Sequence, residues 1–246
     1  MPSSSRENNQ ASLPCPAWIF SNNSNVHVAK DDSWFDDYTP FKTFTTDMMG
    51  NRLEVIGVGT VNLPTKISPT ANGPDSHGVL PLNNVLHAPS ALCNILGAPL
   101  RDDHDVSLRP DSASRGSIVN STDRRPVAYF KPRDESVLFE VRLSDPPVGP
   151  RVGPSPFEPD VAYMIHALWP SSEWQRFEAL QASRQAQATA SEALTPAEKQ
   201  WLKKHYGNEF KFLRSHGLSI YKDEDREEGR SILRAFMSDD GDEAMT

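Results

Sequence analysis

The sequence predicts an α+β chain, with an all-β first half, a proline-rich connector and a helical second half. Three observations carry that prediction. Between Pro14 and Leu143 the apolar residues come in short or alternating runs divided by Gly, Asn, Asp and Pro, the pattern of strands with one buried face. Residues 145–160 then hold six prolines, each of which fixes φ and removes a backbone donor, so a regular helix and a central strand are both excluded. Beyond them the apolar spacing becomes helical and is punctuated by helix caps.

In chain order, residues 1–12 (MPSSSRENNQAS) are polar and predict a disordered leader. Strands are expected at Ala17–Phe20, Lys42–Thr46, Leu53–Leu63, Gly78–Leu86, Asp105–Leu108, Ser117–Val119, Val127–Phe130 and Val137–Leu143. Met49-Gly50-Asn51 supplies a hairpin turn between two of them. Gly57 and Gly59 lie inside the next strand, where glycine marks a bulge or a close backbone approach. The all-β unit spans 13–144, and 145–160 is an extended, semi-rigid linker.

A helical region is expected over 161–238. Ser172 to Gln175 reads as a capping box ahead of Trp174, Phe177 and Leu180. Thr195-Pro196-Ala197-Glu198 is a second box, with Pro at the first helical position; it leads to Trp201, Leu202 and Tyr206 and stops at Gly207. A short helix over Glu209–His216 is expected to turn Phe210 and Leu213 inward and to end at Gly217. A last helix carries Ile232, Leu233, Phe236 and Met237, and 239–246 form an acidic, solvated tail.

Composition narrows the function. The 246 residues are 37% hydrophobic with 21 prolines, which predicts a real but modest core. No window has the length and apolarity of a membrane span, and the N-terminus lacks the apolar run of a signal peptide, so no membrane association is expected. Cys15 and Cys93 cannot build a disulfide framework, so a reducing compartment, cytoplasm or nucleus, is the default. The net charge is −8, and the last 26 residues hold nine acids against four bases. Phosphate binding requires a basic surface, so nucleic acid is not expected as a direct partner.

One stretch carries a family resemblance. Trp18-Ile19-Phe20-Ser21-Asn22-Asn23-Ser24-Asn25-Val26-His27-Val28 resembles the opening W-I-hydrophobic-D-S/T-G-A-S/T-x-H-M of copia-type retrotransposon proteases, which are retropepsin-like β-barrels. Trp34-Phe35-Asp36-Asp37-Tyr38-Thr39-Pro40-Phe41 is similar to that family's aromatic cluster. Val55-Ile56-Gly57-Val58-Gly59-Thr60-Val61-Asn62-Leu63 is similar to its V-x-G-x-G-T-V-x-L strand. Leu82 to Gly97 resembles its L-x-N-V-L-Y-V-P-x-L-x-C-N-L-L-S segment, and Ile95-Leu96-Gly97 looks like the step that supports the catalytic loop. Four motifs in order cover roughly Pro14–Leu100; nothing comparable marks the helical half.

The departure from that pattern decides the expected chemistry. The family's first motif carries an aspartate that pairs with its copy from a second subunit, and the two carboxylates share one proton. Here the matching residue is Ser21, which cannot hold such a proton, and no neighbouring base makes it a nucleophile. The family's turn glycine is Asn23, which tolerates φ > 0 better than most residues. The degenerate motif, Ser21, Asn22, Asn23, Ser24 and His27, is therefore expected to be a hydrogen-bonded turn with no catalytic residue. The resemblance implies a homodimer and a peptide cleft, with Gly57, Gly59, Ile95, Leu96 and Gly97 as its candidate residues.

Other chemistry finds no support in the pattern. Cys15, Cys93, His27, His77, His87 and His104 lack metal-ligand spacing, so neither a metal nor another cofactor is expected. There is no P-loop and no G-x-S-x-G elbow. Trp169, Trp174, Trp201, Phe210, Phe212 and Phe236 read first as core aromatics, with a partner-binding face as the alternative. The expected function is protein–protein association by an inactive retropepsin-like barrel with an unidentified protein or peptide partner. Two alternatives stay open: an aspartic-type endopeptidase using a displaced carboxylate or a partner chain, and a decayed retroelement fragment.

Overall fold

Nine strands precede the long helices in the computed structural model, which describes residues 13–158, 160–192, 194–219 and 222–243. The leader over 1–12 lies outside the described residues. The chain divides into two compact units, one ending at Gln175 and one beginning at Arg176. The architecture is α+β, as the sequence predicts.

In the first unit β1 (Trp18–Phe20), β2 (Val28–Ala29), β3 (Asp37–Thr46), β4 (Arg52–Lys66), β5 (His77–His87) and β6 (Asn94–Leu96) form one sheet in the order β1-β6-β2-β5-β4-β3. A single turn, α1 (Leu100–Asp103), leads into β7 (His104–Ser107), β8 (Ser117–Asn120) and β9 (Pro126–Tyr129), which form the second sheet. β3, β4 and β5 are an antiparallel meander, whereas β1 runs parallel to β6 and β2 parallel to β5.

The β3–β4 hairpin turns where the sequence places it. Asp47 Oδ1 accepts the Met49 and Asn51 N–H groups at 2.8 and 2.9 Å, and Gly50 takes φ +81°. Gly57 and Gly59 explain the middle of β4. A Cβ on Gly57 would stand 2.1 Å from the Tyr38 ring, and one on Gly59 would stand 2.0 Å from Asp37 O. Pairing between β4 and β5 shifts register between Gly59 and Val61, so burial steps three residues from Val58 to Val61 and then alternates through Leu63 and Thr65. Trp18, Phe20, Trp34, Leu63, Leu80, Leu96, Ile118 and Phe130 fill the core, where the Trp18 and Trp34 rings meet edge to face at 5.6 Å.

Two strand expectations need correction. Val137–Leu143 is not a strand: Glu140, Val141 and Leu143 make single bridges to Ile19, Phe130 and Thr65, so its backbone bonds go to three different partners and no ladder forms. β2 went unforeseen because two residues show no alternation.

The helical half begins with α2 (Ser171–Glu192). Ser172 lies inside that helix and is not its cap, and Pro170 O accepts the Glu173 and Trp174 N–H groups. In the second unit α3 (Pro196–His205) starts from Thr195, whose side chain and Glu198's exchange the two bonds of a capping box. Asn208 caps α4 (Glu209–Ser215), and α5 (Asp223–Glu243) follows. Leu202, Phe212, Leu213 and Leu233 form the core of this unit. Phe212 is buried and Phe210 exposed, the reverse of the expectation for Phe210, because α4 has only seven residues and presents a narrow inner face. No described helix is long and apolar enough to cross a membrane.

Candidate functional site

The motif loop leaves β1 at Phe20 and returns through β2 at Val28. Three backbone positions after Ile95 hold it from behind. Leu96 O accepts the Ser21 N–H at 2.9 Å, Gly97 N–H donates to His27 Nδ1 at 3.0 Å, and Ala98 N–H donates to Ser24 O at 2.7 Å. Gly97 has no room for a side chain, since a Cβ there would lie 2.3 Å from Val26 O and 2.9 Å from Ser24 O. The apolar-apolar-Gly step therefore acts as a brace for the loop.

The front of the loop is occupied by the chain itself. Ser21 Oγ donates to Ile165 O at 2.8 Å, and Ala167 N–H donates to Ser24 Oγ at 2.9 Å. Asn25 N–H donates to Ala167 O at 3.1 Å. The Asn25 amide bonds Trp169 in both directions, accepting its N–H at 2.7 Å and donating to its carbonyl at 2.9 Å. On the other side Leu168 and Thr46 exchange backbone bonds of 2.8 and 2.9 Å across the edge of β3. Residues 165, 167 and 169 thus face the loop and Leu168 faces β3, the period of an extended strand. Trp169 Nε1–H donates to Thr43 Oγ1 at 3.2 Å, and Thr43 Oγ1 donates to the buried Glu173 carboxylate at 2.6 Å.

Each predicted motif residue can now be placed. Ser21 and Ser24 are buried at 8% and 1% exposure, and their hydroxyls bond to one another at 2.9 Å. Asn22 is exposed and accepts the Arg101 Nε–H at 2.9 Å. Asn23 is exposed and is not among the residues with positive φ, so the turn forms without the left-handed conformation its place in the motif suggested. His27 is 4% exposed, and burial together with neighbouring His104 lowers its pKa to about 4. Because its Nδ1 accepts a backbone N–H, the neutral ring carries its proton on Nε2.

The cleft candidates separate into two places. Ile95, Leu96 and Gly97 form the brace behind the loop, while Gly57 and Gly59 lie beneath Tyr38, Phe35 and the Asp37 backbone in β4. Tyr38 also bonds through its hydroxyl to His87 Nδ1 at 3.0 Å.

A cavity of about 580 Å³ opens beside the loop. Val26, His27, Leu82, Leu100, His104, Trp169 and Trp174 contribute to its walls, and Asn83, Asn84, Asp102 and Asp103 bring polar groups. Its position was not foreseen, because residues near 25, 82, 102 and 170 meet only in the fold. The docked segment was unforeseen for the same reason, although Ile165-His166-Ala167-Leu168-Trp169 between Met164 and Pro170 is a short apolar run compatible with a strand. Among the described residues no group of three or more His, Cys, Asp and Glu could hold a metal ion. Burial pushes the Cys93 thiol well above its ordinary pKa, so it offers no ready thiolate.

Residues 18–105 match the family described as Pol polyprotein, beta-barrel domain. The matched stretch runs from β1 into β7 and includes the motif loop, the meander and the brace. The match makes residues 18–105 similar to the β-barrel domain of retroelement Pol polyproteins. Neither a curated protein nor a solved structure gives a significant match.

Proposed function

We propose that the first unit is an inactive copia-type retropepsin relative that works in protein–protein association instead of peptide cleavage. The observation that carries this reading is the use of the motif loop: the hydroxyl standing in the aspartate's place is consumed on Ile165 O, inside a set of bonds that seats residues 165–169. Acid-base work on a peptide needs two carboxylates sharing a proton. Ser21 has no carboxylate among its described hydrogen-bond partners, and Asp31 and Asp36 serve the Cys15 and Asn62 N–H groups.

The docked segment also supports the binding half of the reading. It is an extended segment bridged to the β3 edge at Thr46–Leu168, and its backbone groups bond both to Thr46 and to the Ser21, Ser24 and Asn25 side chains. A partner strand would use the same donors and acceptors, so association there is a competition with residues 165–169.

The test is to incubate the full chain with a fluorogenic peptide mixture from pH 4 to 7, with and without a pepstatin-like inhibitor. No hydrolysis above the buffer rate is expected. Inhibitor-sensitive hydrolysis with an acidic optimum would replace this reading with the peptidase alternative.

A further inference from the structure

We propose that the cavity beside the motif loop binds a Lys or Arg side chain presented by a short peptide. This goes beyond the association reading by assigning a second site and the chemistry of its ligand.

The cavity has the volume of a small-ligand site, and its lining offers three kinds of group. Inside lies His27, 4% exposed, with Nδ1 bonded to Gly97 N–H and with Nε2–H lacking a partner among the described residues. This Nε2–H is open to the cavity and is not among the sealed, unsatisfied polar atoms, so a ligand carbonyl at this point takes the place of a water acceptor. His104, equally buried, lines the same space.

The walls are apolar. Leu82, Leu100, Trp169 and Trp174 present aliphatic and indole surface, and the two indoles meet edge to face with centroids 5.0 Å apart. An indole face receives a methylene stem and also attracts a cation.

The remaining groups are acidic. Asp102 and Asp103 are exposed, and neither forms an ion pair among the described residues. Neighbouring Arg101 does not neutralise them, because it donates to Asn22 and its guanidinium lies 5.3 Å from the centre of the Phe20 ring. Among the described residues no Lys or Arg lines the cavity, so the formally charged groups described in its lining are acidic. An anion is therefore repelled. A ligand with a carbonyl acceptor, an apolar stem and a terminal cation matches all three kinds of lining group, and a basic residue within a peptide has all three parts.

Titration calorimetry of the full chain with acetyl-Ala-Arg-Ala-amide, its citrulline isostere and its Glu counterpart tests this. The Arg peptide is expected to bind about tenfold or more tightly than the citrulline peptide, and the Glu peptide not at all. Asp102→Asn with Asp103→Asn should abolish the Arg-over-citrulline preference without lowering the melting temperature, since both carboxylates are exposed. Trp174→Ala should weaken both peptides. Equal binding of the Arg and citrulline peptides, an undiminished preference in the double variant, or no binding at millimolar peptide would each overturn the proposal. Argininamide binding as tightly as the peptide would overturn its peptide part. Mass spectrometry of the same samples separates the two readings: cleavage would overturn the non-catalytic assignment and leave cation recognition standing, whereas lost discrimination without cleavage would overturn the cavity assignment alone.

Discussion

Ser24 Oγ donates to Ser21 Oγ across 2.9 Å, and the bond is the middle link of a relay that begins and ends on one segment. Ala167 N–H donates to Ser24, Ser24 to Ser21, and Ser21 to Ile165 O. Each hydroxyl both gives and accepts a proton bond, so the chain of donors is satisfied without any acid. A pair of serines thereby holds a strand at a loop that, in the family this motif resembles, would present a carboxylate to substrate.

Ser24→Ala removes the central link and leaves the Ala167 N–H unsatisfied. The expected loss is about 1–3 kcal/mol in urea unfolding. Amide exchange at Ala167 should accelerate, with the amide of Leu168, which bonds to Thr46, less affected. Unchanged protection at Ala167 would show that the relay does not hold the segment.

Ser21→Asp restores the residue type of the motif and is expected to break the contact instead of restoring chemistry. An ionised carboxylate cannot donate to Ile165 O, so two acceptors would face each other in a buried place. Protonation repairs the bond, which raises the folded-state pKa of the new group above its unfolded value. Destabilisation relative to the parent is therefore expected to be full near pH 7.5 and to shrink as pH falls below the raised pKa. A melting-temperature difference that grows toward acid would contradict this.

Gly57→Ala and Gly97→Ala distinguish side-chain from backbone crowding. At Gly57 the obstacle is the ring of Tyr38, which is 37% exposed and can swing outward, so the expected cost is about 1 kcal/mol, with loss of the Tyr38–His87 bond. At Gly97 the obstacles are the Val26 and Ser24 carbonyls, fixed by the loop they belong to. A cost of about 3 kcal/mol or more is expected there. Equal costs in denaturant unfolding would mean that the brace behind the loop yields as easily as a surface ring.

These contrasts also mark what was legible in the sequence. Short-range chemistry was readable: Met49-Gly50-Asn51 announces a turn, Thr195 and Glu198 a cap, and Gly57 and Gly59 a close approach. The replacement at Ser21 was readable too, because Trp18-Ile19-Phe20 before it and His27 after it fix its place in a motif whose loop has otherwise drifted. The partner of Ser21 was not, since Ile165 lies 144 positions away and nothing local encodes that pairing. Val137–Leu143 misled because its β-like composition reflects three separate bridges. Phe210 misled because a seven-residue helix gives too little periodicity to separate it from Phe212.

His27 gives the last prediction. Its imidazole is buried and neutral, with a folded pKa of about 4 against an ordinary value of 6.5. The unfolded chain therefore takes up a proton that the folded one refuses. Stability from this group is complete above about pH 6.5 and declines as pH falls toward 4, by on the order of 3 kcal/mol. His104, whose pKa burial also lowers, adds to the same slope. His27→Gln keeps an acceptor for the Gly97 N–H but cannot titrate, so its denaturation midpoint should fall less than the parent's between pH 6.5 and 4.5. The variant is expected to be less stable than the parent at pH 7.5, because a flexible amide replaces a packed ring. Parallel pH profiles for the two proteins would show that the acid sensitivity arises elsewhere than at the ring that braces Gly97.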